Sequence, residues 1–324
     1  MKIFFFFLVS TLLLSEVASD EITSSEFAFF NSNCEPSCIF EPYHVDSENL
    51  KNFPTNCVTV CGYLLFDQDT DVTEENLSQI FKNMKNLYGF LHLKHTSFKS
   101  VKFLENLEVL ECEFPSDLLH IQENKALIEV GMKKLTSVSC GIDIRINDNM
   151  SRLGLPNLKN FHTNETEKVD IRIEPFSIDF CYTVQEITNF FENGQPLINP
   201  AFGHYCEFEP SMNIGVCEIR NFSLSKFDPN CHRVYGTVIV TRGDEENVRK
   251  LENLTWVFGE IVINGTELKI IDFLPKLENV LSLRDSNSET GHVYRSAIEI
   301  YSNPNLIDAE FPKLKVVSGY ILGF

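Results

Sequence analysis

The sequence has little positive charge. Its 324 residues include 27 Lys and Arg against 46 Asp and Glu, which gives a formal net charge of −19 at pH 7. An acidic chain is repelled by phosphate backbones and by anionic membrane surfaces. We therefore expect no nucleic-acid partner. The length is sufficient for two domains, and the 43% hydrophobic fraction is enough to build their cores.

Long apolar runs are also scarce. Residues 3–14 form an almost wholly apolar run after a lysine, and Val17 and Ser19 stand at positions −3 and −1 of a cleavage before Asp20. The run is too short to cross a bilayer, which needs about 20 residues. We therefore predict a secretory signal at 1–19, an extracellular mature protein, and no membrane span in the chain as given. Whether an anchor follows this sequence stays open.

Common catalytic and metal motifs are absent. Neither Gly-x-Ser-x-Gly nor His-Glu-x-x-His occurs, and the eight His show no ligand spacing. Asp67, Asp69 and Asp71 begin like an EF-hand loop. However, Val72 stands where glycine is required, and Ser78 stands where the bidentate glutamate would be. We expect no enzyme, no metal and no cofactor, and a β-helix enzyme acting on carbohydrates is only a remote alternative.

Cysteine is plentiful by comparison. Ten cysteines follow the predicted cleavage point: Cys34, Cys38, Cys57, Cys61, Cys112, Cys140, Cys181, Cys206, Cys217 and Cys231. An even number in an exported chain favours up to five disulfides. Two pairs are spaced four residues apart, as in some zinc sites, so zinc remains an alternative.

Six Asn-x-Ser/Thr sequons are candidate glycosylation sites: Asn76, Asn149, Asn164, Asn221, Asn253 and Asn264. Chance alone would give roughly three or four sequons, so the prediction of glycosylation depends mainly on the predicted export.

One stretch of the chain occurs twice. Residues 56–66 and 230–240 both read Asn-Cys-x-x-Val-x-Gly and then an apolar strand. Further segments recur in the same order: 88–93 with 258–263, 96–107 with 266–277, and 142–158 with 298–314. Leucine every few residues followed by a short strand, every 20–30 residues, is the signature of a solenoid. We therefore predict a mainly β protein built from a duplicated unit.

The repeats divide the chain into segments. These are a loose leader at 20–33, a first domain at 34–180, a linker or cap segment at 181–215, and a second domain at 216–324. Thr183 and Glu186 form a capping box that predicts a short helix ending near Phe191. Asp71 or Thr73 is expected to cap another helix, whose apolar stripe runs from Leu77 through Ile80, Phe81 and Met84 to Leu87 and faces the core.

The ordered motifs resemble the receptor L domain, which occurs twice in the extracellular parts of insulin-type and EGF-type receptor kinases. Secreted tandem L-domain proteins of nematodes are a closer likeness. The resemblance implies that each domain is a right-handed β-helix, a leucine-rich-repeat-like solenoid, with a short N-terminal capping helix. The long cysteine-rich module between the receptor domains is absent, and no kinase follows in the chain as given.

The resemblance also implies disulfide partners. Cys38 with Cys57, and Cys217 with Cys231, would tie each capping helix to the first strand. Cys112 with Cys140 would join neighbouring turns. Cys34 with Cys61, and Cys181 with Cys206, are the remaining pairs. Tyr235 replaces Cys61 in the second copy, which is consistent with an extra bridge in the first copy alone.

Alternation along the first strands predicts a surface. With Leu64, Phe66, Leu91 and Leu93 inward, four residues face outward: Tyr63, Leu65, Phe90 and His92. An exposed apolar and aromatic cluster is a candidate binding site, and the resemblance implies peptide-hormone contacts on this face. Alternatively, Tyr63 and Phe90 pack under a neighbouring loop or the other domain. The second copy has a weaker patch of Thr237, Ile239, Glu260 and Val262.

These observations predict a secreted tandem L-domain protein that binds an extracellular polypeptide. An insulin-like or EGF-like peptide is the ligand that the resemblance implies, and the protein would act as a decoy, carrier or co-receptor. The alternative is a structural or adhesive extracellular protein with no soluble ligand.

Overall fold

The computed structural model describes residues 24–114, 117–161, 169–192, 197–198, 203–209, 215–283, 296–318 and 320–323. The predicted signal at 1–19 and the glycosylation candidate Asn164 lie outside the described residues.

The chain is mainly β. In the first half, the elements are α1 Ser24–Asn33, β1 Ile39–Phe40, β2 Thr59–Gly62, β3 Leu64–Phe66, α2 Glu74–Ile80, β4 Asn86–Tyr88, β5 Leu91–Lys94, β6 Val109–Glu111, β7 Leu118–Gln122, β8 Ser137–Val138, β9 Gly141–Arg145, β10 Asn160–Phe161, β11 Asp170–Glu174, β12 Cys181–Tyr182, α3 Val184–Glu192, β13 Leu197–Ile198 and β14 His204–Tyr205. Short 3-10 helices cover Pro36–Cys38, Asn49–Asn52 and Lys102–Leu104.

The second half follows the same plan. Its strands are β15 Val216–Glu218, β16 Arg233–Tyr235, β17 Val238–Thr241, β18 Trp256–Phe258, β19 Ile261–Asn264, β20 Ile270–Ile271, β21 Asn279–Leu281, β22 Ser296–Tyr301, β23 Asp308–Ala309, β24 Val316–Ser318 and β25 Tyr320–Gly323. Its 3-10 helices are Leu224–Lys226 and Glu245–Leu251.

Each half contains two parallel sheets. Sheet A has the order β1-β2-β4-β6-β8-β10, and sheet B has the order β13-β11-β9-β7-β5-β3. In the second half, sheet C is β15-β16-β18-β21-β24 and sheet D is β17-β19-β22-β25. From β2 to β11 and from β16 to β25, neighbours within a sheet are separated in sequence by a strand of the other sheet. The chain therefore crosses between the two sheets repeatedly, and we call each such circuit a coil. Two short pairs, β12-β14 and β20-β23, and four isolated bridges, among them His44 with Leu65, make up the remaining pairing among the described residues.

The parallel register stacks apolar side chains into inner rows. One row of sheet B contains Leu64, Leu91, Leu119, Ile142 and Ile171, and the next contains Phe66, Leu93, Ile121, Ile144 and Ile173. All ten side chains are buried. The inward direction predicted for the four residues of β3 and β5 is therefore confirmed.

Glycines turn the chain between the two sheets. Gly89 has a φ of +145°, and a Cβ atom at this position would lie 2.0 Å from the carbonyl oxygen of Gly62 in the preceding coil. The second half repeats this contact, since a Cβ atom on Gly259 would lie 2.3 Å from the carbonyl oxygen of Gly236. The corner therefore has no room for any side chain.

A ladder of buried polar side chains runs along the other end of sheet B. The Oδ1 atom of Asn124 accepts hydrogen bonds from the amide and hydroxyl groups of Thr96, at 2.9 and 2.8 Å. Its Nδ2 atom donates to the carbonyls of Leu93 and Gln122 at 3.1 and 3.0 Å. In the next coil, Asn147 Oδ1 accepts from the amide of Asn124 at 2.9 Å. We call these three residues, Thr96, Asn124 and Asn147, the asparagine ladder.

Each ladder residue follows a residue with left-handed backbone. The preceding residues His95, Glu123 and Ile146 have φ angles of 57°, 58° and 55°. Such a turn leaves backbone groups without strand partners, and the side chains of the asparagines form hydrogen bonds with these groups. In the second half, Asn303 likewise accepts from Thr266 at 2.8 and 2.7 Å.

Five disulfides join the ten cysteines. The pairs are Cys34–Cys61, Cys38–Cys57, Cys112–Cys140, Cys181–Cys206 and Cys217–Cys231. They agree with the partners that the resemblance implies, and no free cysteine remains. The zinc alternative is therefore contradicted.

The helices agree only in part with expectation. Thr73 caps α2 by accepting from the amide of Asn76, but α2 ends at Ile80, so Met84 and Leu87 are buried beyond the helix. The capping box of α3 is confirmed, because Glu186 Oε2 accepts from the amide of Thr183 at 2.9 Å and Thr183 Oγ1 accepts from the amide of Glu186 at 3.1 Å.

Helix α3 closes the end of the first half. Val184, Ile187 and Phe190 belong to the first core, and Asn189 Nδ2 donates to the carbonyl of Pro156 at 2.7 Å. Four residues of the second half extend the same core: Trp256, Phe258, Leu281 and Leu283. The segment predicted as a linker or cap thus contributes a helix that packs on the preceding coils.

The start of each half also differs from expectation. The loose leader predicted for 20–33 is wrong over Ser24–Asn33, which forms α1. The segment around Cys38 is a 3-10 helix, and Cys217 lies on strand β15. The disulfide of the first copy therefore joins a short helix to the segment before β2, as expected, whereas that of the second copy joins strand β15 to the segment before β16.

Candidate functional site

The outer face of sheet B carries three of the predicted binding residues in an accessible position. Parallel pairing aligns one outward row across the sheet: His44, Leu65, His92, His120, Asp143 and Arg172. Leu65, His92 and the neighbouring Phe90 are half-buried. We call this row, together with Phe90, the sheet B face.

Tyr63 points outward but is not accessible. Its ring is 3% exposed, stacks 4.0 Å from the ring of Phe90 and 5.2 Å from that of Tyr43, and lies 5.2 Å from Phe30 of α1. The expectation that Tyr63 is exposed is therefore wrong, and the alternative of packing under a neighbouring segment describes it. Tyr63 orients Phe90 rather than meeting solvent.

Helix α1 covers this end of the sheet because it is anchored twice. Phe30 is fully buried, and the adjoining Cys34 is bonded to Cys61. Burial raises the pKa of Tyr63 far above its ordinary value, and a hydrogen bond to Glu26 adds to this shift. Burial also raises the pKa of Glu113, with the nearby charge of Glu26 contributing. The contact of α1 is thus aromatic at its centre and acidic at its edge.

Aromatic contacts continue from the covered end onto the accessible face. The rings of Phe90 and His92 are 4.5 Å apart, and those of His92 and His120 are 5.1 Å apart with an edge-to-face geometry. Burial lowers the pKa of His92 to about 4, and the charge of His120 contributes to the same shift. His92 is therefore neutral at physiological pH, and the centre of the face is apolar and aromatic.

Ion pairs border the other end of the face. Arg145 Nη2 donates to Asp143 Oδ2 at 2.6 Å, and Arg172 Nη2 donates to Glu174 Oε2 at 2.8 Å. Hydrogen bonding to Asp143 raises the pKa of Arg145. The sheet B face therefore changes from apolar and aromatic at β3 and β5 to charged at β9 and β11. An apolar centre with a polar border is typical of protein-binding surfaces.

His92→Val is expected to reduce the acid sensitivity of the fold. The pKa of an unfolded-state histidine is about 6.5, and that of folded His92 is about 4. Between these values the unfolded chain binds a proton that the folded chain does not. The free energy of unfolding therefore falls as the pH drops from 6.5 towards 4, by up to roughly 3 kcal/mol from this group.

Urea unfolding of both proteins at several pH values measures this effect. Val262 occupies the equivalent position in the second half, which shows that valine suits the row. The difference in unfolding free energy between the two proteins should be constant above pH 7 and should shift in favour of the variant below pH 6. Parallel pH profiles would contradict the assignment.

The corresponding face of the second half is plainer. Sheet D aligns Ile239, Val262 and Glu299 in its outward row, and Ile239 is exposed. Thr237 and Glu260 replace the stacked pair of Tyr63 and Phe90. The weaker patch expected in this copy therefore lacks the aromatic contacts of the first.

The comparisons with known proteins agree with the duplicated architecture. The family described as Receptor L domain matches residues 56–149 and 230–324, which together exceed half of the chain. The chain belongs to the receptor L domain family. Each half therefore contains one L domain. No curated protein matches the chain.

Receptor L domains are a ligand-binding, non-catalytic family, so an extracellular binding module is the role that the two L domains indicate. Five disulfides suit an oxidising extracellular environment. Among the described residues, no helix has the length and apolarity needed to cross a bilayer. In the same part of the chain, no group of three or more His, Cys, Asp or Glu is arranged to hold a metal ion.

Five of the glycosylation candidates lie in the described residues. Asn76, Asn149 and Asn221 are exposed, whereas Asn253 and Asn264 are half-buried. Their glycosylation stays a prediction. The Nδ2 atom of Asn253 donates to the carbonyl of Pro229 at 3.0 Å, a bond that a glycan would have to replace.

Several members of the sheet B face were not predicted. His120, Asp143 and Arg172 join the row through the register of three later strands. In the last of these strands, Asp170–Glu174, polar and apolar residues alternate. This pattern was sufficient to predict that Arg172 faces outward.

Proposed function

We propose that the protein is a secreted glycoprotein that binds an extracellular polypeptide through the sheet B face of its first L domain. The observation that carries this proposal is the change from an aromatic centre at Phe90 and His92 to ion pairs at Asp143 and Arg172. A polypeptide can bury apolar side chains on the centre and orient itself by charge at the border.

The architecture supports a pre-formed site. Five strands of sheet B, from β3 to β11, are paired in continuous parallel register beneath the row. We propose that each L domain is a right-handed β-helix, since parallel strands joined by crossovers are almost always right-handed. A rigid backbone reduces the entropy lost on binding, because few groups have to be ordered by the ligand.

An insulin-like or EGF-like peptide is the ligand class that family membership favours. Such a ligand is itself a folded polypeptide with apolar and charged surface groups. Binding without signalling would make the protein a decoy, carrier or co-receptor. The acidic chain, with its net charge of −19, favours a ligand with basic groups.

Leu65→Asp is expected to weaken ligand binding at least tenfold. The carboxylate would be placed at the apolar centre of the sheet B face, where a ligand would have to desolvate it. The matched control is Ile239→Asp, because Ile239 has the equivalent position on sheet D and is exposed. Titration with insulin-like and EGF-like peptides, followed by calorimetry, measures both variants.

Equal weakening by the two substitutions would contradict the assignment to the first L domain, and unchanged binding by Leu65→Asp would contradict the surface itself. If no extracellular peptide binds and the protein instead self-associates with increasing concentration in sedimentation, the structural or adhesive alternative is favoured.

A further inference from the structure

The outer face of sheet D carries one of the predicted glycosylation sites. Asn264 is the last residue of β19, and parallel pairing places it between Thr241 of β17 and Tyr301 of β22. Its side chain points outward, because burial alternates along β19 and the preceding Ile263 is fully buried. Residues 264–266 read Asn-Gly-Thr, so this sequon presents its asparagine on the same face as the apolar patch of the second copy.

The side-chain amide of Asn264 is available for modification. Its Nδ2 atom donates to none of the described residues, in contrast to those of two other sequon asparagines. The Nδ2 atoms of Asn149 and Asn253 donate to the carbonyls of Lys125 and Pro229 in the preceding coil, at 2.6 and 3.0 Å. A glycan on either of these would have to replace a bond between coils, whereas one on Asn264 displaces no bond to the described part of the chain.

The corner beside Asn264 has room for a bulky group. Gly265 has a left-handed φ of +66°, and a Cβ atom added there would meet no other atom within 4 Å. The same holds for Gly243 in the preceding coil. Oligosaccharides on asparagine are bulky and lie at the surface. The two turns at this corner therefore leave the space that a sugar chain needs.

Thr266, the third residue of the sequon, determines when a glycan can be attached. It is fully buried, and its amide and hydroxyl both donate to Asn303 Oδ1, at 2.8 and 2.7 Å. Because the sequon is recognised through this threonine, transfer of the oligosaccharide has to precede the docking of the coil that contains Asn303. Attachment to the growing chain meets this condition, and Asn264 then has to face outward when sheet D forms.

A glycan on Asn264 lies close to the apolar patch of sheet D. Val262 is two residues earlier on the same strand, roughly 7 Å away, and Ile239 is on the neighbouring strand, about 5 Å across the sheet. Ile239 is 41% exposed, so it offers apolar surface to a polypeptide. An oligosaccharide of several sugar units is larger than these separations and is able to cover both side chains.

The sheet B face has no sequon at the same place. The position equivalent to Asn264 is Lys94, which is the last residue of β5 and is exposed. Its outward row continues with Gln122, Arg145 and Glu174, none of which is a sequon asparagine. The two faces therefore differ in whether a glycosylation site stands beside the apolar centre.

We propose that Asn264 carries an N-linked oligosaccharide that covers the outer face of sheet D and prevents polypeptides from binding there. The glycan makes the two L domains unequal and leaves the sheet B face as the one open to a ligand. The role of the sheet B face rests on the proposed function, whereas the glycan and its cover of sheet D do not.

Mass spectrometry of the full chain, secreted from a eukaryotic host, tests occupancy. Protease digestion is followed by peptide N-glycosidase in heavy-oxygen water, which hydrolyses the bond between the asparagine and the sugar and leaves a labelled aspartate. We expect this label at position 264 in most molecules. A peptide with unmodified Asn264 as the main species would overturn the proposal.

A thiol reporter measures whether the glycan covers the face. All ten cysteines are bridged, so Ile239→Cys adds a single free thiol on sheet D. Its reaction with a maleimide on a large polymer should be about tenfold slower than in the same protein with Asn264→Gln, because the bulky glycan excludes the polymer. A small maleimide should react at similar rates in both. Equal polymer rates would show that the face is uncovered.

Two further variants control this measurement. Asn76→Gln removes the sequon on α2 of the first L domain and should leave the labelling rate of Ile239→Cys unchanged. An increase as large as that of Asn264→Gln would contradict a local cover. Thr241→Cys, which is exposed and paired with Asn264, is the second reporter if thermal unfolding shows that Ile239→Cys does not fold.

The first L domain allows the reciprocal experiment. Thr96 stands two residues after Lys94, so Lys94→Asn alone completes a sequon at the equivalent position of sheet B. The added glycan, verified by mass, should slow polymer labelling of Leu65→Cys about tenfold relative to Lys94→Gln. Equally fast labelling of the glycosylated variant would show that a glycan at this position does not cover its sheet, which would overturn the proposed cover of sheet D.

These measurements use no ligand, so their outcome is distinguishable from that of the proposed function. Failure of the proposed function would appear as unchanged peptide binding by Leu65→Asp, with the labelling rates unaffected. Failure of the glycan cover would appear as equal labelling rates, with the peptide titrations unaffected.

Discussion

Gly89→Ala is expected to lower the free energy of unfolding by about 3 kcal/mol or more. The added Cβ atom would lie 2.0 Å from the carbonyl oxygen of Gly62 and 2.8 Å from its carbonyl carbon. Both are backbone atoms, so no side-chain rotation can relieve the contact. The coil would have to move away from its neighbour, which would weaken the pairing of β4 with β2 and of β5 with β3.

Gly243→Ala is the matched control for this substitution. Gly243 also has a left-handed backbone, with a φ of +95°, but a Cβ atom added there would meet no other atom within 4 Å. Its replacement should cost about 1–2 kcal/mol, the conformational penalty alone. Urea unfolding followed by fluorescence of Trp256 compares the two variants. Similar losses of unfolding free energy in the two variants would show that the contact with Gly62 does not determine the effect of a side chain at Gly89.

Asn124→Leu is expected to cost about 3–5 kcal/mol, because the buried amide serves several backbone groups at once. Leucine has a similar volume, so packing is largely kept. The amide and hydroxyl of Thr96 would lose their acceptor, and the carbonyls of Leu93 and Gln122 would lose their donor. Each of these groups is then buried with an incomplete set of hydrogen bonds.

Asn83→Leu is the control, since exposed Asn83 donates a single hydrogen bond to the carbonyl of Thr55 at 2.9 Å. It should change the free energy of unfolding by less than about 1 kcal/mol. Hydrogen exchange at the amide of Thr96 gives a local readout and should accelerate in Asn124→Leu. Unchanged protection at this amide would contradict the role assigned to the asparagine ladder.

The parallel strands could be predicted because their sequence signal is local. Leu64 and Phe66 alternate with outward residues, and the repeat shows that the same strand recurs. The capping box of Thr183 and Glu186 is similarly local, so the start of α3 was predictable. In contrast, Leu87 has the spacing of the apolar stripe of α2 but lies on β4. The two cannot be told apart by spacing alone, because a helix and the strand that follows it bury apolar residues at similar intervals.

Helix α1 could not be predicted in this way. Its sequence has three phenylalanines but no helical apolar stripe. Its position depends on the bond from Cys34 to Cys61 and on the contact between Phe30 and Tyr63, both with residues much later in the chain. The prediction that Tyr63 is exposed was wrong for the same reason, since helix α1, which covers it, is distant in sequence.

The sheet B face was predicted at one end only. Leu65 and His92 belong to the strands nearest the repeated motif, whereas Asp143 and Arg172 join them through coils of unequal length. Which residues lie side by side in one row depends on the register of every strand pair between them. Alternation alone gives the direction of a side chain, but not which side chain lies beside it.

The disulfides have a consequence for biogenesis. No bridge joins cysteines more than 28 residues apart, and none connects the first L domain match to the second. In a chain that enters an oxidising compartment from its N-terminus, both thiols of each pair arrive almost together. Oxidation can therefore keep pace with synthesis, coil by coil, and each completed bridge removes two thiols before those of the following coils become available for mispairing.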